Sequence, residues 1–339
     1  MLTAAMDKVI KGQSLSENEM VTIMEDIMEG KATPAQIGGL LVALRIKGET
    51  LEEITGCAKA MRRKASPVKI DTDYAIDTCG TGGDGAHTFN VSTGAALVAA
   101  AAGATVVKHG NRSVSSKCGS ADVLEHLGVN IELEPLAVQE CVKALNIGFM
   151  YAPHFHQAMG YAAGPRRELG IRTIFNILGP LTNPAGVKGQ VVGVFDERLT
   201  ELMAAVLKNL GTERAMVVHG LDGLDEITIA TKTKVSELKD DRIINYTIDP
   251  RDFGLPLGDR KDLEGGSPGQ NAEILRRLFQ GEQGVKRNML LLNAGAAIYV
   301  GKQAASLEEG IRLAAETIDK KLVMKKLNQW IKKSQGEGL

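Results

Sequence analysis

Asp77-Thr78-Cys79-Gly80-Thr81-Gly82-Gly83-Asp84-Gly85, then Asn90-Val91-Ser92-Thr93, then Lys108-His109-Gly110-Asn111-Arg112-Ser113: these three runs fall between Asp77 and Asp122 and set the reading of the chain. Backbone N–H groups approach phosphate oxygens only where no Cβ intrudes, and glycine provides that. Hydroxyls, an amide, a Lys and an Arg add hydrogen bonds and countercharge. The stretch reads as a large phosphate site. Short apolar runs, Ala75-Ile76 and Thr105-Val106-Val107, come just before the first and third motifs, so both begin where a strand run ends. In open parallel sheets ligands bind at the carboxyl ends of strands.

Working outward, Ile147-Gly148-Phe149-Met150, Gln190 to Val194 and Ala215-Met216-Val217-Val218 also read as buried strands. Helical patterns lie between them at Val91 to Ala102, Ala121 to Leu127, Leu136 to Leu145 and Arg198 to Leu210. That alternation predicts βαβ units and a mostly parallel central sheet. Ile227 to Asp249 reads as a hairpin-like excursion, Gly254 to Gly269 as a Gly- and Pro-rich loop, and the remainder as helices. The first seventy residues are different in texture. Ser14 and Glu17 are placed as a capping box, Thr33-Pro34 as an N-cap with proline in the first turn, and Gly48 as a stop. Ile37, Leu40, Leu41, Leu44 and Ile46 form an apolar stripe, and Thr50 with Glu53 opens another helix. The expectation is an α/β protein: a small all-helical domain over residues 1–70, with a returning helical segment near 165–185, and a larger α/β domain over residues 71–339.

With 339 residues, 44% of them hydrophobic, the chain can bury the core that two domains need. Forty Lys plus Arg balance 41 Asp plus Glu, for a net charge of −1. No long-range field draws the protein to nucleic acid or to a membrane surface, so its useful cations act locally. The most apolar stretch, Gly94 to Val107, is too short and too rich in Ala and Gly to span a bilayer. No secretory signal is read at the N-terminus, and the four dispersed cysteines fit reduced, space-filling thiols. The expected location is the cytoplasm.

Gly80-Thr81-Gly82-Gly83-Asp84-Gly85 satisfies GxGxxG, but a dinucleotide fingerprint opens straight into a helix and is followed by an acidic residue at the next strand end. Here Asp84 and Ala86-His87-Thr88 interrupt, and the next strand ends at Lys108. Asn90 to Thr93 can form the first turn of the Ala-rich helix, either as plain caps or as an anion site. Asp225-Glu226, after the strand end at Val218-His219-Gly220, can hold Mg²⁺ against substrate phosphate, although such pairs are common on surfaces. Arg166, placed at the start of a helical segment, needs an anion against the dipole; Glu168 and a substrate carboxylate are the two candidates. His154 and His156 lack a third ligand for zinc.

Taken together with Gly119-Ser120-Ala121-Asp122, Gly170 to Asn176 and Gly179-Pro180-Leu181-Thr182-Asn183-Pro184, these motifs resemble the anthranilate phosphoribosyltransferase family over nearly the whole chain, in order. The resemblance implies a fold of the nucleoside phosphorylase/phosphoribosyltransferase class, similar to thymidine phosphorylase, and usually a homodimer formed through the helical domain. It implies transfer of phosphoribose from phosphoribosyl pyrophosphate to the amine of anthranilate, a step of tryptophan biosynthesis, with Mg²⁺. Gly80, Gly82, Gly83 and Asp84 would cradle pyrophosphate; Thr88, Asn90, Ser92 and Thr93 would contact the phosphoribosyl group or its phosphates; Lys108 and Ser120 would complete the grip. Ser92, Asp225 and Glu226 would place the metal. Gly80, His109, Asn111, His156 and Arg166 would line the anthranilate route, with Arg166 facing the carboxylate. Cys79, His87 and Cys118 match no family role. A pyrimidine nucleoside phosphorylase usually carries a glycine-rich loop where this chain has Asn111-Arg112-Ser113. A non-catalytic nucleic-acid-binding relative would show a basic groove and no Asp225-Glu226 pair.

Overall fold

The computed structural model describes residues 2–113 and 117–337. It begins with four helices, α1 (Leu2–Ile10), α2 (Glu17–Met28), α3 (Pro34–Lys47) and α4 (Leu51–Lys64). Thr33 and Thr50 cap α3 and α4, each hydroxyl accepting from the third amide while Gln36 or Glu53 reaches back. Gly48, at φ +86°, ends α3. At α2 the expected start is displaced: the capping box is Ser16 with Glu19, not Ser14 with Glu17. The same spacing occurs twice in succession there, and Leu15 decides between the two. Its side chain is buried, and its amide donates at 2.9 Å to the buried carboxylate of Glu53, which holds residue 15 outside the helix. Glu53 also accepts from Lys47 at 3.0 Å and from the Thr50 amide at 2.9 Å, so this buried charge is paired. The α3 stripe is corrected at one position. Ile37, Leu40, Leu41 and Leu44 are buried, but Ile46, two residues past Leu44, is 81% exposed.

Next come β1 (Ile76–Gly80), α5 (Val91–Ala101), β2 (Val106–Gly110), α6 (Ser120–Leu127), α7 (Pro135–Leu145) and β3 (Ile147–Tyr151). A helical return follows as α8 (Ala152–Phe155), α9 (Gly160–Leu169) and α10 (Phe175–Leu178). The chain then forms β4 (Gly189–Gly193), α11 (Leu199–Asn209), β5 (Arg214–Gly220) and the hairpin β6 (Thr233–Lys239) and β7 (Arg242–Ile248). It closes with α12 (Pro268–Phe279), α13 (Val285–Val300), α14 (Leu307–Asp319) and α15 (Leu322–Ser334).

All the named strands join one sheet in the order β3-β2-β1-β4-β5-β6-β7. The first five are parallel neighbours, and the hairpin adds an antiparallel edge. A small helical unit beside a larger, mostly parallel α/β sheet is the architecture that the alternation of patterns implied. The chain runs outward from β1 to β2 and β3, then crosses back to β4 on the other side of β1. The gap between β1 and β4 is therefore a topological switch point, where open sheets bind ligands beyond their carboxyl ends.

Two large cores hold this arrangement, with a smaller cluster around Val107, Val142 and Met150. One fills the space between the sheet and α5, α12, α13 and α14. The Ala-rich α5 lies so close to its neighbours that a Cβ at Gly94 would sit 2.9 Å from Leu275 and 3.0 Å from Leu290. The other joins α1 to α4 with Ala162, Phe175 and Leu178 of the returning segment and with Val192 and Val217 of the sheet. No described helix is long and apolar enough to cross a membrane.

Candidate active site

The glycine loop leaves β1 at the switch point. Gly82, Gly83 and Gly85 have φ of +67°, +77° and +70°, a conformation that side chains with a Cβ rarely adopt. Gly80 is required for a different reason: a Cβ there would press on the carboxylate of Asp225, 3.1 Å from Cγ. The Gly82 amide donates to Asp225 Oδ2 at 2.7 Å. Thr81 and Gly83 are tied down from outside the loop. The Thr81 hydroxyl accepts from the Phe195 amide at 3.1 Å, and Arg172, its guanidinium 4.3 Å from the Phe195 ring centroid, donates to the Gly83 carbonyl.

Lys108 lies in the middle of β2, which runs on to Gly110 and does not end at Lys108 as the sequence suggested; it is 3% exposed and donates from Nζ to the Thr78 carbonyl, with Ser92 Oγ at 3.5 Å. Ser92 opens α5, whose N-cap residue Asn90 makes no capping hydrogen bond. Thr93 is buried, and its Oγ1 has no partner among the described residues. Thr88 forms an isolated antiparallel bridge with Glu264, so the Gly- and Pro-rich loop supports the approach to α5. Ser120 begins α6 and donates to the Asn111 carbonyl at 3.3 Å, while Asn111 Oδ1 accepts from the Arg112 amide at 2.7 Å. The Arg112 charge is paired within the loop and the helix that follows it. Its guanidinium bonds Asp122 and Glu125 at 2.8–3.1 Å, and these raise its pKa further. Asp122 in turn accepts from the Ser113 and Gly119 amides at 2.9 and 2.8 Å, pinning both ends of the loop. Residues 114–116, which complete the serine-rich run, lie outside the described residues.

The acidic pair arrives from the loop after β5. Asp225 is buried; its pKa is pushed up to about 7, chiefly by burial and then by the neighbouring charge of Asp84. Burial and Asp225 together hold Glu226 well above the usual carboxylate range, against the pull of Lys108 and a hydrogen bond from the Ser92 amide. Three carboxylates thus face one another with one buried ammonium nearby, an arrangement that a divalent cation would relieve. Among the described residues no group of three or more His, Cys, Asp or Glu side chains could hold a metal alone. A cation here would need further oxygens, of the kind a bound diphosphate would supply. The pair is positioned by Gly193, whose Cα lies under the Asp225 carbonyl, and by Asn293 of α13, which bonds the Ile227 amide at 3.0 Å and its carbonyl at 2.8 Å. Sequence reasoning missed Asn293, although a lone amide in the apolar run Leu290 to Ala297 signals a buried group that must be hydrogen-bonded. It also gave no separate role to Arg172.

Beyond Lys108 the strand places His109 beside His156, ring centroids 5.0 Å apart. Burial lowers their pKa values to about 3 and about 4, so both are neutral. His156 Nε2 meets the Thr182 carbonyl at 3.0 Å, leaving Nδ1 and His109 Nε2 buried without partners. Below them Asp77, its pKa raised by burial, accepts from Asn183 at 2.8 Å and from the His109 amide at 3.3 Å.

Arg166 needs a correction. It is in the last turn of α9, not at a helix start, and there the dipole favours a cation. The dipole argument for an anionic partner therefore lapses. What remains is a guanidinium 4.8 Å from the Phe175 ring centroid, its pKa lowered by burial, with no ion pair among the described residues. Interactions join Gly80, Gly82, Asp84, Ser92, Lys108, Asp225 and Glu226 into one cluster; none of these reaches Arg166.

The chain has known relatives along its whole length. Residues 3–65 match the Glycosyl transferase family, helical bundle domain, and residues 72–321 match the Glycosyl transferase family, a/b domain. The anthranilate phosphoribosyltransferase of Alkaliphilus metalliredigens (strain QYMF) is 67% identical over 335 residues, 99% of each chain, and that of Acetivibrio thermocellus is 60% identical over 98% of this chain and 96% of its own. Among solved structures, anthranilate phosphoribosyltransferase from Thermus thermophilus superposes with a TM-score of 0.93 at 42% identity, covering 98% of this chain and 99% of that one. The Saccharomyces cerevisiae enzyme in complex with PRPP and Mg gives 0.90 at 27% identity, covering 99% and 98%.

Proposed function

The chain belongs to the anthranilate phosphoribosyltransferase family, and from that premise and the site geometry we propose that it transfers the phosphoribosyl group of phosphoribosyl pyrophosphate to the amine of anthranilate, in tryptophan biosynthesis. One observation carries the assignment. A glycine loop, a buried lysine and a buried acidic pair, contributed by three separate segments, meet at the switch point of the sheet.

In this reading Gly80, Gly82, Gly83 and Asp84 hold the pyrophosphate, and Thr88, Asn90, Ser92, Thr93, Lys108 and Ser120 hold the phosphoribosyl group and its phosphates. Ser92, Asp225 and Glu226 hold Mg²⁺, which when bound neutralises charge on the leaving pyrophosphate. Lys108 adds a fixed positive charge at the same place, one that costs no reorganisation when the bond to the anomeric carbon breaks. The aromatic amine attacks as a neutral nucleophile, so positioning contributes more than a strong base would. His109 and His156 suit such positioning, since both are neutral, with ring nitrogens free to accept from the amine, and Gly80 and Asn111 complete the route. Arg166 faces the carboxylate, because a half-buried guanidinium with no ion pair favours a planar anionic partner.

Further parts of the proposal concern assembly and location. The division at residue 70, with residues 165–185 returning to the helical side, describes two domains. The protein works in the cytoplasm as a homodimer. An open groove of ≈ 900 Å³ between α1, α3 and α9, lined by Val9, Gly38, Val42 and Leu169 and flanked by exposed Ile10 and Ile46, supports pairing through the helical unit. The test of function is loss of anthranilate fluorescence on mixing with phosphoribosyl pyrophosphate and Mg²⁺. Turnover is expected to vanish in Asp225→Asn/Glu226→Gln with sugar binding less affected. Wild-type protein that leaves anthranilate unconsumed overturns the assignment.

A further inference from the structure

We propose that Asn271 is a positioning residue that keeps the Asn90 side chain from capping α5, so that the Thr93 amide in the first turn of that helix is left for a phosphate group of the substrate. The inference rests on the phosphoribosyl site proposed above and adds a residue that no motif there contains.

The argument begins with a backbone amide. Gly266 N–H can only donate, and it points at Asn271 Oδ1 at 2.7 Å. The nitrogen of the Asn271 amide must therefore face the other way, where it donates to Asn90 Oδ1 at 2.8 Å. Asn90 Nδ2 then donates to the Cys118 carbonyl at 3.1 Å. The relay runs one way from a backbone donor to a backbone acceptor, so neither amide can be flipped without opposing like groups. Both ends of the Asn90 side-chain amide are thus engaged. Asn is among the strongest N-cap residues, yet Asn90 occupies the N-cap of α5 without accepting from that helix. The Ser92 amide goes to Glu226, and among the described residues the Thr93 amide has no hydrogen-bond partner. A buried Thr93 hydroxyl beside it is also unpartnered. An open amide and a free hydroxyl on Thr93, in the first turn of an 11-residue helix with Lys108 nearby, are suited to hold an anion.

Packing puts Asn271 in reach. Asn271 and Leu275 lie one turn apart on the same face of α12, and Leu275 seats against Gly94 of α5. Gly265 allows the loop to close over them, since a Cβ there would lie 2.6 Å from Asn271 Oδ1 and 2.9 Å from Phe89 Cα. Asn271 is 1% exposed, so it acts through Asn90 and not by touching substrate.

In Asn271→Ala, Asn90 Oδ1 is released and can turn to the Thr93 amide. The dissociation constant of phosphoribosyl pyrophosphate with Mg²⁺, measured by calorimetry, is then expected to rise about fivefold, equivalent to the ~1 kcal/mol of one N-cap. The Michaelis constant for anthranilate is expected to stay at the wild-type value. Loss of packing alone would lower the melting temperature and leave that dissociation constant unchanged, which overturns the inference. A second arm uses Asn90→Ala, where nothing is left to cap the helix: adding Asn271→Ala to it is expected to change sugar binding no further, and additive effects overturn the inference. Should the alanine variant not fold, Asn271→Asp keeps the acceptor for Gly266 and removes the donor for Asn90. It is expected to weaken sugar binding in the same direction, and unchanged binding counts against the inference. Wild-type protein that does not bind the sugar overturns the functional reading as well, whereas normal wild-type binding matched by the variant overturns this inference alone.

Discussion

Replacing Gly193 by alanine tests how tightly the sheet positions the acidic pair. Gly193 ends β4, and a Cβ added there would fall on the backbone carbonyl of Asp225, with Asp225 Cα only 3.2 Å away. To restore ordinary contact the Asp225 backbone must recede by about 2 Å. It cannot move freely, because Asn293 fixes the next residue but one through both its amide and its carbonyl. A shift of that size also breaks the 2.7 Å bond from the Gly82 amide to Asp225, loosening the glycine loop. Overpacking of this kind costs about 1–3 kcal/mol of stability. Misplacing reacting groups by about 1 Å can cost 10²-fold in rate. Gly193→Ala is therefore expected to fold with a lowered melting temperature, to lose about 100-fold in kcat, and to need more Mg²⁺ for half-maximal activity. Anthranilate fluorescence followed across a Mg²⁺ titration, with a thermal melt of the same sample, reads all three. Wild-type kcat and an unshifted Mg²⁺ midpoint would refute the idea that this glycine sets the position of the pair.

Three further outcomes are expected. Asp225 holds its proton more tightly folded, near pH 7, than at its ordinary value of 3.8, so its contribution to stability is complete below pH 3.8 and is lost as pH rises through 7. Without Mg²⁺, the melting temperature of wild type relative to Asp225→Asn should thus fall between pH 5 and pH 8, and a pH-independent difference contradicts the burial argument. Arg166→Ala should raise the Michaelis constant for anthranilate about tenfold while leaving that for phosphoribosyl pyrophosphate unchanged, as loss of one charge-assisted contact implies; an effect confined to the sugar substrate contradicts its placement. Ile46→Asp puts a charge beside the apolar groove and should convert the proposed dimer to monomer in light scattering; an unchanged mass excludes that face as the interface.

Strand and helix order were legible because buried parallel strands are short apolar runs and their crossovers carry clear helical periodicity. The capping threonines at residues 33 and 50 were legible for a local reason: each box is closed within its own first turn. The Ser16 box is hidden in the sequence because two overlapping boxes are locally equivalent, and only a contact from Leu15 to Glu53 separates them. Arg166 reads as lying at the wrong end of its helix because Gly164-Pro165 looks like a start, whereas Pro165 lies inside α9. Glycine and hydroxyl content is what marked the three motifs as a candidate phosphate site. Arg112 did not fit that pattern: its partners Asp122 and Glu125 are near in sequence, yet their pairing depends on where α6 begins. What Asn271 and Asn293 hold was not legible, even though a lone amide in the apolar run of α13 marks Asn293 as buried and bonded, because each acts on a segment that is distant in the chain and adjacent only after folding.

The most direct test is a crystal structure of the protein soaked with phosphoribosyl pyrophosphate and Mg²⁺. The account predicts the diphosphate against the Gly82 and Gly83 amides, the sugar phosphate near Lys108 and the start of α5, and metal density on Asp225 and Glu226. Well-ordered sugar diphosphate bound away from Gly82 and Lys108 would contradict it.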